Sequence, residues 1–67
     1  MSVAKVIEIT SASNKSFEDA IEQGIRKAAR TVDNIRSAWV SEQKVMVEGD
    51  RITEYRATMR ITFVLSE

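Results

Sequence analysis

Ser16-Phe17-Glu18-Asp19-Ala20-Ile21-Glu22-Gln23-Gly24-Ile25-Arg26-Lys27-Ala28-Ala29-Arg30-Thr31-Val32 carries the clearest periodic signal in the chain. Phe17, Ala20, Ile21, Ile25, Ala28, Ala29 and Val32 recur at three- and four-residue steps, so on a helix they build one apolar stripe that has to be buried. Ser16 is the expected N-cap. With Asp19 three places on, it forms an S-x-x-D capping box for amides that the first turn leaves without partners. Glu18, Asp19 and Glu22 occupy the first half, and Arg26, Lys27 and Arg30 the second, so the side chains oppose the partial charges of the helix ends. Glu22 and Arg26 are spaced for an i, i+4 pair. These charges read as helix stabilisation before they read as a site. Asp33 and Asn34 are expected to end the helix.

Upstream of the helix, Val3 to Thr10 is a short, mostly apolar run with Val3, Val6, Ile7 and Ile9, better suited to a strand than to a helix of two turns. Ser11, Ala12, Ser13 and Asn14 are expected to break it. Downstream, Ile35 to Val47 reads as a strand, and Glu48-Gly49-Asp50 supplies a tight reversal in which Gly is free to take a positive φ. From Tyr55 to Leu65 the odd positions Tyr55, Ala57, Met59, Ile61, Phe63 and Leu65 are apolar, whereas Glu54, Arg56, Thr58, Arg60 and Thr62 are polar, the alternation of a strand with one dry face. The order is β-α-β-β, an α+β chain with a three-stranded antiparallel sheet. No repeat, low-complexity run or proline linker divides it, so residues 1–67 are expected to form a single domain.

One helix stripe covers only one face of such a sheet. By alternation, the odd residues of the last strand, with Ala38 and Val40 of the middle strand, face the helix. The opposite face carries Ser37, Trp39, Ser41 and Gln43 beside Arg56, Thr58 and Arg60. Trp39 is the anomaly there, because a large aromatic among polar groups marks a subunit contact or ligand surface more often than bare solvent. Arg36, Arg51, Arg56 and Arg60 have the planar guanidinium that grips phosphate or carboxylate in pairs of hydrogen bonds. Alternation along a solvated strand, or pairing with Glu42, Glu48 and Glu54 of neighbouring subunits, explains them equally well.

Composition narrows the function classes. The chain has 67 residues, ten basic and ten acidic, two Gly and no Cys, His or Pro. It buries only ~60% of the surface that its unfolded form exposes, so additional support is expected. Disulfides and the usual Cys/His zinc sets are excluded, which leaves oligomerisation. Balanced charge argues against a general nucleic-acid binder. No apolar run approaches the ~20 residues of a membrane helix, and Met1 to Lys5 does not begin a secretory signal, so a cytoplasmic protein without membrane partners is expected. Without His or Cys, and without a Gly-rich phosphate loop, a calcium loop or a carboxylate cluster at metal spacing, an enzyme, and an NTPase or metalloenzyme above all, is disfavoured.

A strand ending in Val6-Ile7-Glu8-Ile9, a Ser-rich turn, the helix from Ser16 to Thr31, the exit Thr31-Val32-Asp33-Asn34-Ile35 and a long hairpin closing with Tyr55, Ile61, Phe63 and Leu65 together resemble the dodecins over almost the whole chain. That resemblance implies a subunit whose sheet wraps round its helix, and a hollow homododecamer of cubic symmetry. It also implies binding and storage of flavins (riboflavin, its phosphate FMN, or the breakdown product lumichrome) rather than catalysis. In flavin-binding members a Trp early in the middle strand stacks on the ring system, and a Gln of the last strand bonds its polar edge. Laid on that pattern without gaps, Ser37 falls at the Trp position and Trp39 two residues later on the same face, a displacement of roughly 6 to 7 Å. Arg56, directly after Tyr55, falls at the Gln position; it donates only, where Gln both donates and accepts. Trp39, Ser37, Gln43, Arg56 and Thr58 are the expected flavin-site residues, with a local bulge bringing Trp39 into place. The alternatives are a dodecin-like shell that has lost this site and holds another ligand or ions, and a small enzyme or single-strand binder using Trp39, Arg56 and Arg60.

Overall fold

The computed structural model describes residues 2–66; Met1 and Glu67, the ends of the expected 1–67 unit, lie outside the described residues. The elements are β1 (Val3–Ser13), α1 (Phe17–Ala29), β2 (Ile35–Glu48) and β3 (Arg51–Ser66). They form one sheet in the order β1-β3-β2 with both pairings antiparallel, so β3 is central and shares a face with every element. The β-α-β-β reading of the sequence therefore holds, and the differences lie at element ends and in the register of β2.

β1 runs through Ser11, Ala12 and Ser13, where a break was expected, because these residues continue the ladder opposite Ala57, Arg56 and Tyr55. The last serine also anchors the helix start. Its hydroxyl donates to Asp19 Oδ2 at 2.6 Å and accepts from the Lys15 amide at 2.9 Å. Ser16 caps α1 as expected, its Oγ accepting from the Asp19 amide at 3.0 Å. The capping box is thus half made, since the Asp19 carboxylate is taken by Ser13. Glu22 and Arg26 pair at 3.8 Å on an exposed surface.

The helix ends at Ala29, before Asp33, and Ala29 itself is exposed. The amides of Thr31 and Val32 turn back onto the Ala28 carbonyl at 3.1 and 2.9 Å, closing the end. Asn34 then takes φ 62°, a left-handed geometry that Asn tolerates better than most residues. Its carbonyl accepts from the Val64 amide at 3.1 Å, steering the chain into β2. At the hairpin, Gly49 has φ 66°.

The core lies between α1 and the odd residues of β3. Ala57, Met59 and Ile61 are fully buried, with Ile7, Ile9, Ile21, Ile25, Ile35, Ala38 and Val40 around them. Phe17 meets Tyr55 edge-to-face with ring centroids 5.2 Å apart. Gly24 sits at a close approach: a Cβ there would lie 2.6 Å from Met59 Cε and 3.0 Å from Ser11 Cβ, so both side chains would have to give way. The sheet and helix touch at this point because the stripe has a gap in it.

Candidate functional site

From Arg56 to Thr62 the even residues of β3 point away from the helix, and the register sets what stands beside them. Thr62 lies between Val6 and Ser37, Arg60 between Glu8 and Trp39, Thr58 between Thr10 and Glu42, and Arg56 between Ala12 and Lys44. Trp39 is therefore on the uncovered face as expected, 60% exposed. Arg60 holds its guanidinium carbon 5.0 Å from the centre of the Trp39 ring, a cation–π contact. From the other side, Arg60 Nε donates to Glu8 Oε2 at 3.3 Å. Glu8, Arg60 and Trp39 thus form one cross-strand row.

Two irregularities in β2 rearrange the rest. The register slips between Ile35 and Ser37 and again between Val40 and Glu42, each slip placing an additional residue in β2. Ser37, Ala38 and Trp39 between them pair regularly with Thr62, Ile61 and Arg60. A bulge therefore does stand just upstream of Trp39, in keeping with the local bulge expected there, and beyond it Trp39 pairs with Arg60. The second slip corrects an expectation. Gln43 stands opposite Ala57, the helix-side register, and Lys44 takes the outer-face place beside Arg56.

Around this second bulge, Ser41, Glu42, Gln43, Lys44, Arg56 and Thr58 border a recess of about 320 Å³. Arg56 is bonded to Glu54 through its Nε, Ser41 Oγ donates to the Thr58 carbonyl at 3.3 Å, and the Thr58 and Thr10 hydroxyls are 3.1 Å apart. Four of the expected residues, Ser37, Trp39, Arg56 and Thr58, thus share the outer face, and Gln43, on the helix-side register, borders the recess together with Arg56 and Thr58. The sequence reading did not find Glu8 and Lys44. Glu8 was obscured because nothing in the sequence states that β1 pairs with β3, and Lys44 because no Gly or Pro announces the bulge at Ser41. Among the described residues, no three acidic, His or Cys groups converge as a metal site would require, and no helix is long and apolar enough to cross a membrane.

Comparison with known proteins agrees with this architecture. The Dodecin family model matches residues 3–66. A calcium dodecin from Mycobacterium tuberculosis is 38% identical over 63 residues, spanning 94% of this chain and 89% of that protein. Among solved structures, a dodecin from Streptomyces davaonensis superposes with a TM-score of 0.92 at 27% identity, covering 98% of this chain and 97% of that one. The crystal structure of a calcium-chelating calcium dodecin from Mycobacterium tuberculosis, described as having a novel calcium-binding site, gives a TM-score of 0.81 at 37% identity, covering 91% and 87%. With the family model spanning nearly all of the sequence and the same β-α-β-β subunit in the solved relatives, the chain belongs to the dodecin family.

Proposed function

We propose that the chain is the subunit of a cytoplasmic, non-catalytic homododecameric shell that sequesters a flavin, riboflavin or FMN, against the outer face of its sheet. The observation that carries this reading is Trp39, 60% exposed in the midst of a polar surface and braced by Arg60. An indole held in this way offers a flat apolar face to a planar heteroaromatic ring, and the polar neighbours Ser37, Thr58 and Arg56 suit its edge. Arg56 and Arg60 donate to carbonyl or phosphate oxygens, whereas the flavin N3 proton needs an acceptor from another group. The test is a fluorescence titration with riboflavin and with FMN. Both fluorophores are expected to quench in the natural chain, and Trp39→Ala is expected to abolish quenching while the particle stays intact. Quenching that survives in Trp39→Ala removes Trp39 from the site.

A second reading is favoured by the calcium dodecin relatives: a shell of the same build that holds calcium rather than flavin. No three acidic groups converge among the described residues of one protomer, so carboxylates from adjoining copies would complete such a site. Calcium uptake in a calorimetric titration, by a protein that quenches neither flavin, selects this reading over the first.

A further inference from the structure

We infer that Glu8 is a positioning residue of the proposed flavin site: through Arg60 it holds the Trp39 indole in place and leaves the ring face turned away from Arg60 for the ligand. The inference rests on the flavin reading above and adds to it a residue that does not itself touch the ligand. Each strand supplies one member of the row. Glu8 of β1 and Trp39 of β2 are the two register partners of Arg60 on the central strand β3. Arg60 Nε donates to Glu8 Oε2 at 3.3 Å, and its guanidinium carbon lies 5.0 Å from the centre of the indole. The side chains of Arg60 and Glu8 are 53% and 56% exposed, and an exposed ion pair of this kind contributes little to a fold. Its consequence is geometric: a guanidinium tied at Nε has lost the freedom to swing away from the ring that it faces.

The other charges of this face are placed elsewhere on it. Arg56 stands two rows along beside Lys44 and is bonded to Glu54, and Glu42 stands beside Thr58 in the row between. Arg36, in the bulge before Ser37, is engaged in an interaction of its own. Glu8 is therefore the carboxylate directly opposite Arg60. On the far side, β2 is an outer strand, so no further strand of this sheet stands beyond Trp39, which is 60% exposed. One face of the indole thus carries the cation, and the other is open to a planar ring. Holding a side chain in its bound orientation beforehand removes an ordering cost that the ligand would otherwise meet. Riboflavin has no charged group, so it reads that gain without any attraction between arginine and phosphate.

Trp39 is the single Trp of the chain, so its emission reports the site by itself. In the ligand-free protein, Glu8→Gln and Arg60→Ala are each expected to enlarge the fast, local component of the Trp39 anisotropy decay. Both are expected to weaken riboflavin and FMN by the same factor, about 2- to 10-fold. The deciding variant exchanges the partners, Glu8→Arg with Arg60→Glu. It keeps an ion pair between β1 and β3 but puts a carboxylate beside the indole, so the unfolding midpoint is expected to match that of the natural chain while riboflavin binding stays weak. An exchange that restores binding makes the pair a strut of the sheet and overturns the inference. So does an anisotropy decay or a riboflavin affinity that Glu8→Gln leaves unchanged, and so does a loss confined to FMN. Tighter riboflavin binding in Arg60→Ala also overturns it, since the guanidinium would then occupy the face that the ligand uses. A natural chain that quenches neither flavin is a distinct result, which overturns the flavin reading itself and this inference with it.

Discussion

The two faces of the sheet are built from one strand and have opposite fates. On the helix side, Ala57, Met59 and Ile61 of β3 are 0% exposed, whereas beside the alternating residues of the same strand Trp39 and Val6 remain 60% and 54% exposed. Within one protomer α1 covers the centre of the first face and leaves the second open. The difference separates what a single chain needs in order to fold from the face proposed above for ligand or neighbour. It also gives the two faces different expected responses to substitution.

The largest effect is expected on the covered side. Ile61→Ala or Met59→Ala removes fully buried volume and should lose about 2 to 5 kcal/mol, read by denaturant unfolding at fixed protein concentration, since any assembly makes the midpoint concentration-dependent. Trp39→Ala should remove flavin quenching yet leave that midpoint much less changed. A loss matching that of Ile61→Ala would place Trp39 in a core and erase the distinction between the faces. Next in size, Gly24→Val forces a side chain against Met59 and Ser11 and is expected to destabilise by about 1 to 3 kcal/mol through overpacking; a neutral result would mean that α1 lifts from β1 freely. Ser16→Ala takes the cap from the Asp19 amide and should lose about 1 kcal/mol, seen as a lower thermal midpoint. Glu8→Gln is the smallest, below about 1 kcal/mol and further reduced by salt, because the Glu8–Arg60 pair is solvent-exposed. If it nevertheless changes flavin affinity, Arg60's position over Trp39 matters to the ligand and not to the fold.

Most of the covered face was legible in the sequence, because both of its parts obey simple periods: three to four residues for α1 and two for β3. The helix end was not, since Ala29 to Val32 keep the apolar rhythm while the backbone closes on the Ala28 carbonyl and Asn34 turns the chain. Nor was the true end of β1, where serines that read as a break instead pair with β3 and tie to Asp19. On the open face, Trp39 was placed correctly because no bulge interrupts Ser37 to Trp39. Gln43 was misplaced because one additional residue at Ser41 inverts every position beyond it. Such a slip leaves no compositional mark when the bulged residue is neither Gly nor Pro.

The proposed shell, in which neighbouring copies would cover the open face, is tested most directly by particle mass. Multi-angle light scattering at low micromolar concentration should give twelve times the 7.6 kDa chain mass, unchanged on dilution, whereas a stable, folded 7.6 kDa species would contradict it.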